Sequence, residues 1–163
     1  MTAVADHTPL DLTLELTDEA ATRQLGRALA AKLEPGDVVA LWGGLGAGKT
    51  SLARAIVTSL NTQETTVPSP TFTLVQTYET PRFTLWHCDF YRLSSQEEVV
   101  ELGLDEAFAR DVTLIEWPDR MGDGLPLQRL DVLLAFGADE QGRTARLKGD
   151  AGWAERLSGL ADG

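Results

Sequence analysis

Leu10, Leu12, Leu14 and Leu16 alternate with polar residues near the start of the chain, which predicts a strand with one buried face. After Thr17 the period lengthens, and Leu25, Leu29 and Leu33 recur every four residues along one helical stripe. Thr17 is placed to cap this helix, Asp18 and Glu19 suit the positive end of its dipole, and "EPGD" ends it. "VVALW" (Val38–Trp42) is an unbroken apolar run, the pattern of a strand covered on both faces. A glycine-rich segment follows at once. Leu52, Ile56 and Leu60 then mark a second helix that stops at Asn61.

In the second half, "VPSPTFTL" mixes prolines with hydroxyl residues and reads as a loop entering a strand, "FTLVQTY". "RFTLWH" reads as that strand's neighbour across the turn "ETPR". Ser95 and Glu98 have capping-box spacing and open a helix predicted to run to about Arg110. "VTLIE" is another buried strand, and "LDVLLAF" with "TARLKG" forms a hairpin pattern closed by "GADEQG". The last dozen residues either form a short helix around Trp153 or fray. No repeat, low-complexity tract or linker interrupts this order. The expectation is one α/β domain over residues 1–163, with 1–9 and about 150–163 as its loosest ends.

Composition narrows the function classes. The chain has 163 residues, 43% hydrophobic and 24% charged, an ordinary globular balance. Its 25 acidic against 14 basic side chains give a net charge of −11, which argues against a broad basic surface for nucleic acid or anionic lipid. A local basic patch is still compatible with that total. Cys88 is the single cysteine, so no internal disulfide forms. The N-terminus lacks the basic-then-apolar order of a signal peptide, and no apolar run approaches the ~20 residues of a membrane span. Cytoplasm is the expected compartment, with no membrane partner.

The chemistry is concentrated in "GGLGAGKTS" (Gly43–Ser51), where Gly43, four residues, then Gly48-Lys49-Thr50 match the Walker A pattern. Glycines let backbone N–H groups converge on phosphate oxygens at the start of a helix. Lys49 is suited to the β and γ phosphates and the Thr50 hydroxyl to Mg²⁺. The alternative, an ordinary glycine turn, fits less well because a buried strand precedes the segment and a helical pattern follows it. Gly43, Gly44, Leu45, Gly46, Ala47, Gly48, Lys49, Thr50 and Ser51 are therefore the candidate nucleotide-binding residues.

Such a site needs a carboxylate near the metal at the end of a neighbouring strand. Glu116 ends "VTLI" and suits that place. Asp119-Arg-Met-Gly122 spells the D-x-x-G pattern of GTPases, but it lies beyond Trp117-Pro118 and is treated as a decoy. A guanine-reading N-K-x-D motif is absent, Asn61 being the sole asparagine. "HCDFYR" is a second cluster. His87, Cys88 and Asp89 fall short of the four spaced ligands of a structural zinc site. Asp89 either caps a turn or positions the attacking water, and Cys88 reads as packing.

"GGLGAGKTSLARAI", "VPSPTFTLVQTYE", "HCDFYRL", "EEVVELGLDEAF" and "LIEWPDR" follow one another here in an order and spacing that resemble the TsaE (YjeE) family. These are P-loop ATPases of bacterial tRNA threonylcarbamoyladenosine biosynthesis. The resemblance spans roughly Thr17 to Lys148. It implies a three-layer α/β P-loop NTPase fold with a mainly parallel central sheet and antiparallel additions. It also implies ATP and Mg²⁺ as cofactors, with Thr50 and Glu116 holding the metal and Asp89 needed for hydrolysis. Lys49 joins Asp89 and Glu116 as a catalytic candidate.

By the same resemblance, Ser69, Pro70 and Thr71 form a switch-like loop, and Glu19, Thr22 and Arg143 lie near the nucleotide. Helix capping by Glu19 and an exposed strand position for Arg143 remain open alternatives. Gly44 stands where the family often has aspartate, which should loosen the loop slightly. Trp117, next to Glu116, is the expected fluorescence reporter of the nucleotide site. The implied partners are TsaB and TsaD, which install threonylcarbamoyl on adenosine 37 of tRNAs reading ANN codons. The ATP cycle resets or regulates that complex, and tRNA is met mainly through the partners. Two other readings stand beside this one: a P-loop small-molecule kinase, and a nucleotide-dependent binding module with little turnover.

Overall fold

The computed structural model of the chain describes residues 8–60, 74–93, 95–139 and 141–160. Seven strands in these residues make one sheet: β1 (Leu10–Leu16), β2 (Val38–Trp42), β3 (Val75–Glu79), β4 (Thr84–Asp89), β5 (Val112–Glu116), β6 (Leu130–Phe136) and β7 (Arg143–Gly149). Their order is β1-β7-β6-β2-β5-β4-β3. Parallel pairing joins β6, β2, β5 and β4 at the centre. Antiparallel pairing adds β7 and β1 on one side and β3 on the other. This is the expected α/β fold with antiparallel additions to a parallel centre. Every residue of β5 is buried, as are the first four of β2, which is why these two runs show no polar alternation.

Helices α1 (Glu19–Ala30), α2 (Lys49–Leu60), α3 (Gln96–Glu101), α4 (Leu104–Arg110) and α5 (Ala151–Arg156) cover the two faces. Strand parity sorts the core into two clusters. Val39 and Leu41 of β2, Leu85 of β4 and Val112 and Leu114 of β5 face the cluster that contains α1, α2 and α5. Val38, Cys88 and Ile115 face the other cluster with Val99 of α3, Leu104 of α4 and Met121. The α1 stripe of Leu25 and Leu29 is buried, and Gly26 beside it lets Ala55 of α2 approach. No helix among the described residues is long and apolar enough to cross a membrane.

Three local expectations change. Asp18, not Thr17, is the N-cap of α1: its extended backbone lets Oδ1 accept the Ala21 N–H at 2.9 Å. The residue adjoining the first helical turn takes the cap, and Thr17 stands one position too early. The single helix expected from Ser95 to Arg110 is two helices. Gly103 adopts φ +67°, a left-handed conformation that stops a helix, and Ser95 makes no side-chain capping bond. β3 begins at Val75, while Phe72, Thr73 and Asn61 lie outside the described residues. At the C-terminal end, α5 forms, with Asp150 accepting the Trp153 N–H at 3.0 Å and the Trp153 ring buried in the first cluster.

Candidate functional site

The phosphate-loop sequence leaves the sheet directly from the end of β2. Gly43 has φ +146°, and a Cβ on it would stand 2.6 Å from the Leu134 carbonyl oxygen of the adjacent β6. Only glycine fits there. Gly44 has open space around its Cβ position, so an aspartate side chain is sterically admissible there. Lys49 is the first residue of α2 and is 4% exposed. Its ammonium donates to the carbonyls of Gly43 at 2.6 Å and Gly44 at 2.7 Å, and lies 4.0 Å from the centre of the Trp117 ring. Burial lowers its affinity for a proton below the ordinary lysine value, while the charges of Glu116, Asp89 and Asp119 pull the other way.

Sheet register delivers the acids. Glu116 pairs with Leu41 of β2 on one side and with Asp89 of β4 on the other. Glu116 and Leu114 alternate onto the α2 face of β5, and His87 and Asp89 share that face of β4 with Leu85. Cys88 falls on the opposite face and packs in the second core cluster. Burial, with the charges of Asp89 and Glu116 adding to it, pushes its thiol well above the ordinary value, which fits packing and not nucleophilic work.

The Glu116 carboxylate is buried and is gripped from both sides. The Thr50 hydroxyl donates to Oε1 at 2.6 Å and His87 Nε2–H donates to Oε2 at 2.6 Å. The second His87 ring nitrogen, Nδ1, is buried without a hydrogen-bond partner among the described residues. Asp89 Oδ1 accepts the Tyr91 N–H at 3.0 Å. The turn-capping alternative for Asp89 is therefore realised, and the same carboxylate also lines the cleft beside the phosphate loop.

That cleft has a volume of about 320 Å³ and is lined by Gly46, Gly48, Lys49, Thr50, Asp89, Glu116 and Trp117, with Leu45, Ser51, Tyr91 and Arg92. Trp117 sits at its wall in a left-handed conformation, φ +58°, uncommon for a bulky residue. Its ring meets Tyr91 at 4.9 Å between centroids. A second cleft of about 510 Å³ adjoins the loop and brings Glu19, Thr22 and Arg143 together with Gly46, Gly48, Ser51 and Gln141. Arg143 donates to the Gly46 carbonyl at 3.2 Å and stacks over Phe136 at 4.7 Å. A further cavity of about 690 Å³ lies at the C-terminal end of α1 beside Arg82 and Arg156, away from the loop.

Ser69, Pro70 and Thr71 lie outside the described residues. Asp119 sits in the 3-10 turns of Pro118–Gly124 and does not line the cleft, although its charge is felt at Lys49. Tyr91 and Arg92, from the "HCDFYR" cluster but without an expected role, line the first cleft, and Gln141, which no expectation singled out, lines the second; His87 was expected at most as a zinc ligand. The signal was present in the two-residue spacing of His87 and Asp89, which puts both side chains on one face of a strand.

The donors at the mouth of the loop fit Mg²⁺. Thr50 and Glu116 offer a hydroxyl and a carboxylate oxygen in direct contact, both hard ligands of the kind Mg²⁺ takes alongside phosphates. Among the described residues no group of three His, Cys, Asp or Glu side chains is arranged to hold a metal by itself.

A family model described as "Threonylcarbamoyl adenosine biosynthesis protein TsaE" matches residues 16–145. The "tRNA threonylcarbamoyladenosine biosynthesis protein TsaE" of Rickettsia bellii is 44% identical over 126 residues, covering 77% of this chain and 88% of that protein. The Bacillus subtilis protein of the same name is 36% identical over 121 residues, covering 74% of this chain and 75% of its own length. A crystal structure of Bacillus subtilis YdiB matches with a TM-score of 0.76 at 29% identity, covering 94% of this chain and 95% of that one. The chain belongs to the TsaE family.

Proposed function

We propose that this member of the TsaE family is a Mg²⁺-dependent ATPase of tRNA threonylcarbamoyladenosine biosynthesis. In this reading it acts with TsaB and TsaD and resets or regulates their complex. The observation that carries the ATPase reading is the contact between the Thr50 hydroxyl and the Glu116 carboxylate, 2.6 Å apart beside Lys49 at the start of α2. The names of the Rickettsia and Bacillus relatives support the pathway.

In this reading the backbone N–H groups of 43–51 cradle the phosphates at the positive end of α2. Lys49 exchanges its two carbonyl partners for β and γ phosphate oxygens, and Thr50 and Glu116 hold the metal. Bound Mg²⁺ supplies charge neutralisation across the phosphates. Asp89 orients the attacking water from the edge of the cleft, with Tyr91 N–H holding one of its oxygens. Glu19, Thr22 and Arg143 take the nucleoside end of the ligand in the adjoining cleft. Ser69, Pro70 and Thr71 serve as the partner-sensitive switch.

The test is phosphate release from ATP by the purified chain, with and without TsaB–TsaD and tRNA. Turnover should be slow alone and rise in the complex, by less than the roughly 10³–10⁵ of an arginine-finger system. Naked tRNA should bind this −11 chain weakly. Unchanged turnover in the complex, or tight tRNA binding by the chain alone, rejects partner gating. A small-molecule kinase would need a phosphoryl acceptor, and a pure binding module would stay inactive in both mixtures.

A further inference from the structure

His87 is fully buried, yet it makes one polar contact among the described residues, Nε2–H to Glu116 Oε2 at 2.6 Å. Its other ring nitrogen has no partner among the described residues. Neither a zinc cluster nor a hydrogen-bond network among the described residues accounts for it. An apolar side chain beside Leu85 and Leu114 would carry no unmet nitrogen, but it would leave the buried Glu116 Oε2 without its donor. Among the described residues the polar function of His87 is therefore spent on one oxygen of one carboxylate. The other oxygen of that carboxylate faces Thr50, whose hydroxyl approaches it to 2.6 Å.

From this geometry we infer that His87 is a positioning residue that makes Glu116 a one-oxygen metal partner and so biases the site towards Mg²⁺ over Ca²⁺. The inference rests on the Mg²⁺–nucleotide reading above. Mg²⁺ demands a compact octahedral shell, keeps waters and takes carboxylate oxygens singly, whereas Ca²⁺ accepts six to eight oxygens and often both from one carboxylate. With Oε2 held by His87, only Oε1 can turn towards the Thr50 side. Without that hydrogen bond the carboxylate can rotate and present both oxygens. Partners of metal ligands set ligand orientation in this way.

The test measures binding of the non-hydrolysable analogue AMPPNP by calorimetry in MgCl₂, in CaCl₂ and in EDTA. Three variants are compared with wild type. His87→Leu removes the donor. His87→Gln places an amide N–H near the reach of Nε2, and His87→Asn places it near Nδ1, too short for Oε2. Wild type should prefer Mg²⁺. His87→Leu and His87→Asn should lose roughly 10–100-fold in Mg²⁺-dependent affinity, lose less with Ca²⁺, and match wild type in EDTA. His87→Gln should recover most of the preference. Should His87→Leu fail to fold, the Gln and Asn pair decides by reach alone.

A merely structural role for His87 would lower affinity in EDTA as well, and that outcome overturns the proposal. So does a wild-type Mg²⁺ to Ca²⁺ ratio in both His87→Leu and His87→Asn. Wild type that binds AMPPNP with neither cation overturns the nucleotide reading itself, and this inference with it.

Discussion

The Lys49 ammonium rests 4.0 Å from the centre of the Trp117 ring while its protons are directed to the Gly43 and Gly44 carbonyls. A bound phosphate would have to replace those carbonyls, so the Trp117 environment is coupled to the event it should report. Trp42, the other tryptophan beside the loop, is pinned by a 2.8 Å bond from Nε1 to Asp131. Nucleotide addition should therefore change Trp117 emission far more than Trp42 emission. Titration of Trp117→Phe checks this, and a full signal in that variant would refute the assignment.

Lys49→Ala should weaken ATP binding about 10–100-fold or more, because charge-assisted hydrogen bonds contribute about 1.5–3 kcal/mol each. Direct calorimetry against wild type is the check. Near-normal affinity would count against a phosphate site in this loop.

Asp89 and Glu116 should divide binding from chemistry. Asp89→Asn keeps an oxygen for the Tyr91 N–H, so the turn should survive. Its ATP affinity should stay close to wild type while hydrolysis falls about 10²–10⁴-fold, the range for a positioned acid–base group. Glu116→Ala should instead lose Mg²⁺-dependent affinity, having lost the acceptor for Thr50. Equal loss of ATP affinity in both variants would reject this division.

Glycine substitutions should separate steric need from tolerance. A Cβ on Gly26 collides with Ala55 Cβ where α1 crosses α2, so Gly26→Ala should cost about 1–3 kcal/mol through overpacking. Gly44→Asp enters open space and should leave the melting temperature unchanged. Thermal denaturation of the two variants decides the matter; a destabilised Gly44→Asp or a neutral Gly26→Ala would contradict the packing described.

Cys88 is fully buried, and its surroundings hold the thiol in its neutral form. Native protein at pH 8 should resist alkylation by iodoacetamide, since the thiolate is the reacting species, and should react once denaturant is added. Rapid labelling of native protein would show that the second core cluster opens readily.

Much of this protein is written in short-range pattern. The alternation of Leu10–Leu16, the unbroken apolar run of β2, the buried run of β5 and the four-residue stripe of α1 each follow from burial acting on neighbours within one element. The Walker A loop is equally local, because its glycines answer to backbone geometry within nine residues, and Glu116 is legible as the acid that ends a buried strand. Small local ambiguities produced the errors. Asp18 and Thr17 can each cap α1, and Gly103 breaks a helix whose apolar spacing continues across it.

The remainder depends on pairings that no short-range pattern encodes. Both faces of β2 and β5 are largely buried, so their burial pattern does not say which strand lies next to which, or in what register. Tertiary packing sets β5 between β2 and β4, and only that register puts Glu116 beside Leu41 and Asp89. His87 then meets a carboxylate 29 positions away, and Arg143 reaches Gly46 across 97. Trp117, whose backbone turns left-handed at the strand end, meets Lys49 from 68 positions along the chain. Side-chain type is a property of one position, whereas a site is a set of distances between positions, and those distances come from the packing of the whole sheet.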